Sequence, residues 1–92
     1  MISISQKAGK AASGEFAAEK ALKEGRGYLL ILAEDASDNT RKKFENMADW
    51  REVPHCTYLS KTELGQIIGK GERSCVVITD ENLAENIRRQ LQ

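Results

Sequence analysis

The sequence has few of the residues that build a disulfide framework, a metal centre or a catalytic site. It contains one histidine, His55, and two cysteines, Cys56 and Cys75. On a strand, His55 and Cys56 would point to opposite faces, which disfavours a shared metal ion or a nucleophile–base pair. Two cysteines do not form a disulfide framework. We therefore expect reduced, unbridged thiols in a cytoplasmic protein that holds no metal and no cofactor.

Long apolar segments are also missing. Residues 1–7 have no apolar stretch behind their charges, so we expect no signal peptide. The longest apolar run, residues 28–33, is far too short to cross a bilayer. These two absences predict a protein with no membrane partner.

The chain has no excess charge of either sign, because 14 basic side chains balance 14 acidic ones. That balance argues against a protein that binds nucleic acid through its overall charge. It leaves a local basic face open, since the distribution along the chain is uneven. Before residue 28 the cations outnumber the acids: Lys7, Lys10, Lys20, Lys23 and Arg26 against Glu15, Glu19 and Glu24.

The length suits a single domain over residues 1–92, in which helical patterns alternate with short apolar runs. We predict helices over residues 5–12 and 15–24, from the cap-rich segment 35–39 to about Trp50, from Ser60 to Gly69, and after Asp80. Ser60 and Glu63 have the spacing of a capping box. Apolar runs at 28–33, 55–59 and 75–79 predict strands. The pattern indicates an α/β fold with helices on both faces of a sheet.

Enzyme signatures are not evident. Gly65, Gly69 and Gly71 match neither a phosphate-binding loop nor a dinucleotide fingerprint, and they are typical of a helix end followed by a tight turn. Glu34 and Asp35 follow a predicted strand, where acidic residues commonly cap a turn. We therefore expect no catalysis and no small-molecule substrate.

The second predicted helix places an aromatic side chain on its outer face. If Ala18, Ala21 and Leu22 face the core, then Phe16 and Lys20 lie on the opposite side, together with Lys23. An exposed aromatic beside two lysines at a helix start is typical of a nucleic-acid contact, with stacking on a base and pairing with phosphates. The alternative is that Phe16 packs beneath the loop 69–74 or the first helix.

A second polar segment, residues 70–74, connects a predicted helix to a predicted strand. It carries two cations, Lys70 and Arg73. Taken alone, such a loop is more typical of a solvated connection than of a binding site.

Four segments, in order and with characteristic spacing, resemble the ribosomal-protein superfamily whose archaeal members bind RNA kink-turns. They are residues 8–15 (AGKAASGE), 30–37 (LILAEDAS), 60–69 (SKTELGQIIG) and 76–80 (VVITD). The short first helix and the Ser-Gly-Glu variant resemble the bacterial YlxQ-like branch. The resemblance implies a three-layer αβα sandwich with a four-stranded mixed sheet. It also implies that the partner is structured RNA, of which ribosomal RNA is one candidate.

The resemblance further implies an RNA-binding site at the start of the second helix and in the loop before the last strand. Family members carry a glycine, an Asn-Glu pair and a lysine there; Gly14 and Lys20 match the glycine and the lysine, whereas Phe16 and Ala17 replace the pair. Neither replacement can hydrogen-bond the purine edges of tandem sheared G·A pairs. The resemblance therefore implies that the protein keeps recognition of RNA shape, while its affinity or its exact target changes. The expected RNA-binding residues are Lys10, Gly14, Glu15, Phe16, Lys20, Glu34, Lys70 and Arg73. The alternative is a protein-interaction module of the translation or transcription machinery that has lost RNA binding.

Overall fold

Two of the apolar runs form the centre of a mixed sheet in the computed structural model, which describes residues 2–91. β2 (Leu29–Leu32) and β4 (Cys75–Ile78) are buried at every position. β1 (Ala11–Ser13) and β3 (His55–Thr57) form the edges, in the order β1-β4-β2-β3. β2 and β3 are parallel, and β4 is antiparallel to both β1 and β2.

Helices cover both faces of this sheet. They are α1 (Ile2–Lys7), α2 (Glu15–Lys23), α3 (Asp38–Trp50), α4 (Lys61–Ile67) and α5 (Glu81–Leu91). Alternate residues of β4 point to opposite faces, so Val76 and Ile78 enter the core under α1, α4 and α5, while Cys75 and Val77 enter the core under α2 and α3. The predicted α/β class and three-layer αβα sandwich are confirmed.

Local capping signals begin α4 and α5 where the sequence predicts. The Ser60 hydroxyl accepts from the Glu63 amide at 3.1 Å, and the Glu63 carboxylate accepts from the Ser60 amide at 3.0 Å. The Asp80 carboxylate accepts from the Leu83 amide at 2.9 Å, which caps α5. None of the described helices is both long enough and apolar enough to span a membrane.

The predicted helix over residues 5–12 is wrong at both ends. The helix is Ile2–Lys7, and Ala11–Ser13 is a strand paired with β4. Gly9, with a φ of 71°, breaks the helix. Ala11 then packs against one core and Ala12 against the other, so the pairing with β4 outweighs the helical preference of alanine.

The register brings one end of every strand together. Ser13 is opposite Val76, and Leu32 is opposite both Cys75 and Thr57. β1, β2 and β3 therefore finish, and β4 begins, at the same end of the sheet, which we call the upper end. The segments that follow β1, β2 and β3 and the loop that precedes β4 all meet there.

Candidate functional site

Backbone hydrogen bonds hold the segments at the upper end against one another. The Gly14 amide donates to the Cys75 carbonyl at 2.9 Å, and the Ala33 amide donates to the Ser74 carbonyl at 2.8 Å. The loop that precedes β4 thus lies between the start of α2 and the end of β2. The two segments that the sequence singles out as contact sites are neighbours in space.

These neighbours enclose a shallow concavity of about 440 Å³. Its walls are residues 13–17 on one side and residues 72–74 on the other. Gly14 turns the chain from β1 into α2 with a φ of 89°, a backbone conformation that residues other than glycine rarely adopt. A Cβ at Gly14 would lie 3.5 Å from Arg73 Cδ, so the arginine side chain runs directly past the glycine.

The first turn of α2 opens into the concavity. Gly14 supplies no side-chain cap, so the amides of the first turn lack that partner. The Glu15 carboxylate is exposed and accepts weakly from the Ser74 hydroxyl at 3.5 Å. Amide groups and the positive end of the helix dipole make this corner favourable for an anionic group of a ligand.

Phe16 projects into solvent from this turn, with 86% of its surface exposed. Ala18, Ala21 and Leu22 are buried, as the helical pattern predicts, and Lys20 is exposed one turn beyond Phe16 on the same face. The alternative that Phe16 packs beneath the loop 69–74 or the first helix is wrong. The aromatic ring forms part of the wall of the concavity, on the side opposite Arg73.

Arg73 brings a cation to the other wall. Its guanidinium donates to the carbonyl oxygens of Glu72 at 2.9 Å and Gly71 at 3.3 Å. Within residues 2–91 neither Arg73 nor the exposed Lys20 and Lys70 forms an ion pair with a carboxylate. These charges are free to interact with an anion from outside the chain.

Close packing against α4 fixes the loop that carries Arg73. A Cβ at Gly65 would lie 2.1 Å from the Gly71 carbonyl oxygen and 2.7 Å from its carbonyl carbon. The Lys70 amide donates to the Gly65 carbonyl at 2.8 Å, and the Arg73 amide donates to the Lys61 carbonyl at 3.1 Å. The loop is therefore a structured wall of the concavity, and its residues 70–72 are exposed to solvent, as residues 70–74 alone predict. This role of Gly65 was not predicted, because a glycine inside a helix is its only signal in the sequence.

The other predicted site residues lie at different distances from the concavity. Glu34 is exposed at the upper end, where its amide donates to the Leu59 carbonyl at 2.7 Å. Lys70 lies in the same loop as Arg73, beside α4. Lys10 precedes β1 and accepts from the Thr79 amide at 2.8 Å, so the length of β1 separates it from Gly14. The structure brings together Gly14, Glu15, Phe16 and Arg73, and it places Lys10 at the other end of the sheet.

Neither cysteine lines the concavity. Cys56 and Cys75 are unbridged. Burial raises the pKa of the Cys56 thiol, and it raises the pKa of the Cys75 thiol to about 12. Both sulfurs are therefore protonated and weakly nucleophilic at neutral pH. Residues 2–91 contain no group of three or more His, Cys, Asp or Glu side chains placed to hold a metal ion.

Comparisons with known proteins find relatives along most of the chain. A family model described as the ribosomal protein L7Ae/L30e/S12e/Gadd45 family matches residues 1–88. The RNA-binding protein YlxQ of Bacillus subtilis (strain 168) is 34% identical over 87 residues, which cover 95% of this chain and 87% of that protein. The large ribosomal subunit protein eL30 of Methanosphaera stadtmanae is 34% identical over 87 residues, covering 94% of this chain and 89% of that one.

A solved structure extends the likeness to the fold. A protein of unknown function from Bacillus halodurans superposes with a TM-score of 0.91 and 26% sequence identity. The superposition covers 96% of this chain and 89% of that one. The arrangement of helices and strands is therefore shared along almost the whole length of both chains.

Proposed function

Because the chain belongs to the ribosomal protein L7Ae/L30e/S12e/Gadd45 family, in its YlxQ-like branch, we propose that it binds structured RNA and catalyses no reaction. Residues 1–92 would act as a single RNA-binding domain in the cytoplasm. The target would be a kink-turn-like element in ribosomal or other non-coding RNA. The names of the relatives, an RNA-binding protein and a ribosomal subunit protein, support RNA as the partner.

The observation that carries the proposal is the concavity at the upper end. An aromatic ring with 86% of its surface exposed stands on one wall, and an arginine without a carboxylate partner within residues 2–91 stands on the other. The open amides at the start of α2 lie between them. Stacking surface, cation and amide donors are the three elements with which proteins hold an unpaired nucleotide of a folded RNA.

Each residue then has a distinct role. Phe16 stacks on a base that is splayed out of the RNA helix, and Arg73, Lys20 and Lys70 pair with phosphates. Gly14 lets the chain turn sharply, so that the amides of α2 and the side chain of Arg73 reach the same nucleotide. Glu15 and Glu34 border the same end of the sheet.

Phe16 and Ala17 bear on which RNA is recognised. The resemblance implies an Asn-Glu pair at these positions that hydrogen-bonds the purine edges of sheared G·A pairs, and neither side chain present here can do so. Recognition would therefore depend on the shape of the kinked backbone and on a stacked base. We expect weaker discrimination of base identity than an Asn-Glu pair provides.

The test is a binding assay with two hairpin RNAs at one fixed salt concentration. One hairpin contains a kink-turn with tandem sheared G·A pairs, and the other has both G·A pairs replaced by G·C pairs, which removes the kink. We expect tighter binding of the kinked hairpin in gel-shift titrations. Equal affinity for both hairpins would overturn kink-turn recognition, and binding of neither at low salt would overturn RNA binding.

A second candidate function is a protein-interaction module of the translation or transcription machinery. The observation that favours it is the presence of two acidic residues, Glu15 and Glu72, beside the exposed Phe16 in the concavity. An apolar anchor with an acidic rim suits a basic protein partner. This candidate predicts that neither hairpin binds, and that a protein captured from lysate is lost when Phe16 is replaced by Ala.

A further inference from the structure

A second large aromatic side chain lies exposed at the far end of the α2–α3 layer. Trp50, the single tryptophan of the chain, is the last residue of α3 and has 75% of its surface exposed. The guanidinium carbon of Arg51 lies 4.5 Å from the centroid of its ring. Burying an indole stabilises a fold strongly, so a tryptophan left in solvent contributes little of that energy to this one.

Trp50 forms one wall of a small apolar cleft between the ends of α2 and α3. The cleft has a volume of about 110 Å³ and is lined by Leu22, Lys23, Met47, Trp50 and Arg51. The Arg51 guanidinium donates to the Lys23 carbonyl oxygen, which fixes the end of α3 to the end of α2. Arg51 therefore contacts both the Trp50 ring and the end of α2, and the cleft lies between these two helix ends.

The outer face of α2 connects this cleft to the concavity at the upper end. The helix has nine residues and is about 13 Å long at 1.5 Å per residue. Phe16 stands in its first turn, Lys20 follows one turn later, and Lys23 is its last residue. Lys20 and Lys23 are exposed. An aromatic ring, two lysines and a second aromatic ring thus follow one another along a single surface.

The charges along this surface suit a polyanion. Of the carboxylates near it, Glu19 lies 2.5 Å from the Lys43 ammonium and 3.1 Å from that of Lys23, and Glu24 lies 2.8 Å from the Arg26 guanidinium. Asp49 is within hydrogen-bonding distance of His55, at 3.0 Å, a contact that compensates its charge only when the histidine is protonated. Hydrogen bonds from Lys43 and Lys23 lower the pKa of the Glu19 carboxyl, which therefore stays ionised and compensated. Lys20 and Arg51 have no carboxylate partner within residues 2–91, whereas the exposed Glu52 is a carboxylate without a cation there. Lys20 and Arg51 are therefore two cations along this surface that are available to an anionic ligand.

We propose that the outer face of α2 and the Trp50–Arg51 pair form a second RNA contact, which holds a single-stranded segment continuing from the RNA bound at the concavity. This inference rests on the proposed function and extends its footprint. Lys20 pairs with one phosphate, and Lys23 turns to the next while Glu19 keeps its ion pair with Lys43. One unpaired base stacks on Trp50 beside Arg51. Stacking on an aromatic ring tolerates any base, so this contact adds affinity without adding sequence preference.

The experiment compares hairpins with and without a tail. The kinked hairpin is prepared blunt, with a six-uridine tail at its 5′ end, and with the same tail at its 3′ end. We expect one tail to strengthen binding by the parent protein about tenfold, the size of one base–aromatic stack. Trp50→Ala should abolish this gain and leave the affinity for the blunt hairpin unchanged. Trp50→Phe, which keeps an aromatic ring, should retain most of the gain.

Fluorescence gives an independent readout, because Trp50 is the only tryptophan. The tailed hairpin that binds more tightly should quench it at saturation, and the blunt hairpin should not. Since Trp50 is 75% exposed, Trp50→Ala should keep the melting temperature of the parent. If the blunt hairpin binds but neither tail adds affinity or quenches fluorescence, the second contact is overturned while RNA binding stands. If neither blunt nor tailed hairpins bind, the proposed function fails with it.

Discussion

Phe44 and Phe16 are the two phenylalanines of this chain, and they occupy opposite environments. Phe44 is fully buried on the inner side of α3, among Ala18, Leu32 and other side chains of the same core, whereas Phe16 is 86% exposed at the upper end. Burial explains the first, because removing an aromatic ring from water stabilises the fold. It does not explain the second. The contrast separates the part of the molecule that folding requires from the part that is available for binding.

The largest expected effect comes from the buried ring. Phe44→Ala should lower the free energy of unfolding by about 3–5 kcal/mol, because it creates a cavity in the core. Phe16→Ala should change that free energy by no more than about 0.5 kcal/mol, since surface substitutions rarely do more. Urea denaturation of the two variants measures both values. A loss of similar size in both would mean that Phe16 also packs in the core, and the contrast between the two rings would disappear.

A second contrast concerns two glycines, Gly65 inside α4 and Gly69 just after it. Gly65→Ala should cost about 1–3 kcal/mol of stability, because its Cβ would overlap the Gly71 carbonyl and displace the loop that carries Arg73. Gly69→Ala is the matched control: its φ is 73° and a Cβ there would meet no atom within 4 Å, so the cost is limited to about 1 kcal/mol of backbone strain.

The two glycine variants should also differ in binding. Because the Lys70 amide and the Arg73 amide both bond to the α4 segment, a displaced loop carries its cations away from the concavity. Thermal denaturation and hairpin affinity, measured for both variants, test this together. If Gly65→Ala matched Gly69→Ala in stability and in RNA affinity, Gly65 would have no positioning role.

The third prediction concerns the affinity of Phe16, the exposed ring of the first comparison, for RNA. Phe16→Ala should weaken binding of the kinked hairpin by about 1–3 kcal/mol, which is the range for loss of one base–aromatic stack. The salt dependence of binding should not change, because the ring carries no charge. Phe16→Tyr keeps an aromatic face and should bind nearly as the parent does. Unchanged affinity for Phe16→Ala would leave the cations as the main contacts.

The comparison of buried and exposed residues also shows what the sequence could predict. Capping boxes, glycine ends and helical periodicity are local signals, so the bounds of α4 were predictable. Periodicity also placed Phe16 opposite the buried side of α2, but it left open whether the loop 69–74 or the first helix covers the ring. β1 was not, because its alanines favour a helix and only the pairing with β4 makes them a strand. The four-stranded sheet was available only through the resemblance to a family, which is confirmed.

Some features of the candidate site were likewise predictable from neighbouring residues, and others depend on the fold. Gly14 and Phe16 could be found from their own segment, because a turn and a helix face are set by neighbouring residues. The Gly65–Gly71 approach depends on how the loop after α4 folds back onto that helix, and no local pattern indicates it. The Arg51–Lys23 hydrogen bond joins residues that are distant in sequence. Lys10 was grouped with Arg73 by its place in the family motif, yet β1 separates the two. Its contribution to RNA binding stays a prediction.

The smallest expected effect distinguishes charge from stacking. Lys20 lies one turn beyond Phe16 and has no ion pair within residues 2–91, so its ammonium is free to contact a phosphate. Lys20→Ala should leave stability unchanged and lower the slope of log affinity against log salt by about one phosphate contact. Hairpin titrations at four or more salt concentrations measure that slope.

Lys7 provides the matched control for this measurement. It is equally an exposed lysine in a helix, but α1 packs on the opposite face of the sheet from α2. Lys7→Ala should therefore leave the slope at the parent value. If both variants lowered the slope equally, RNA would be attracted by diffuse charge and not held at the outer face of α2. If only Lys20→Ala lowered it, a phosphate would be located beside Phe16, as stacking of the adjoining base on that ring requires.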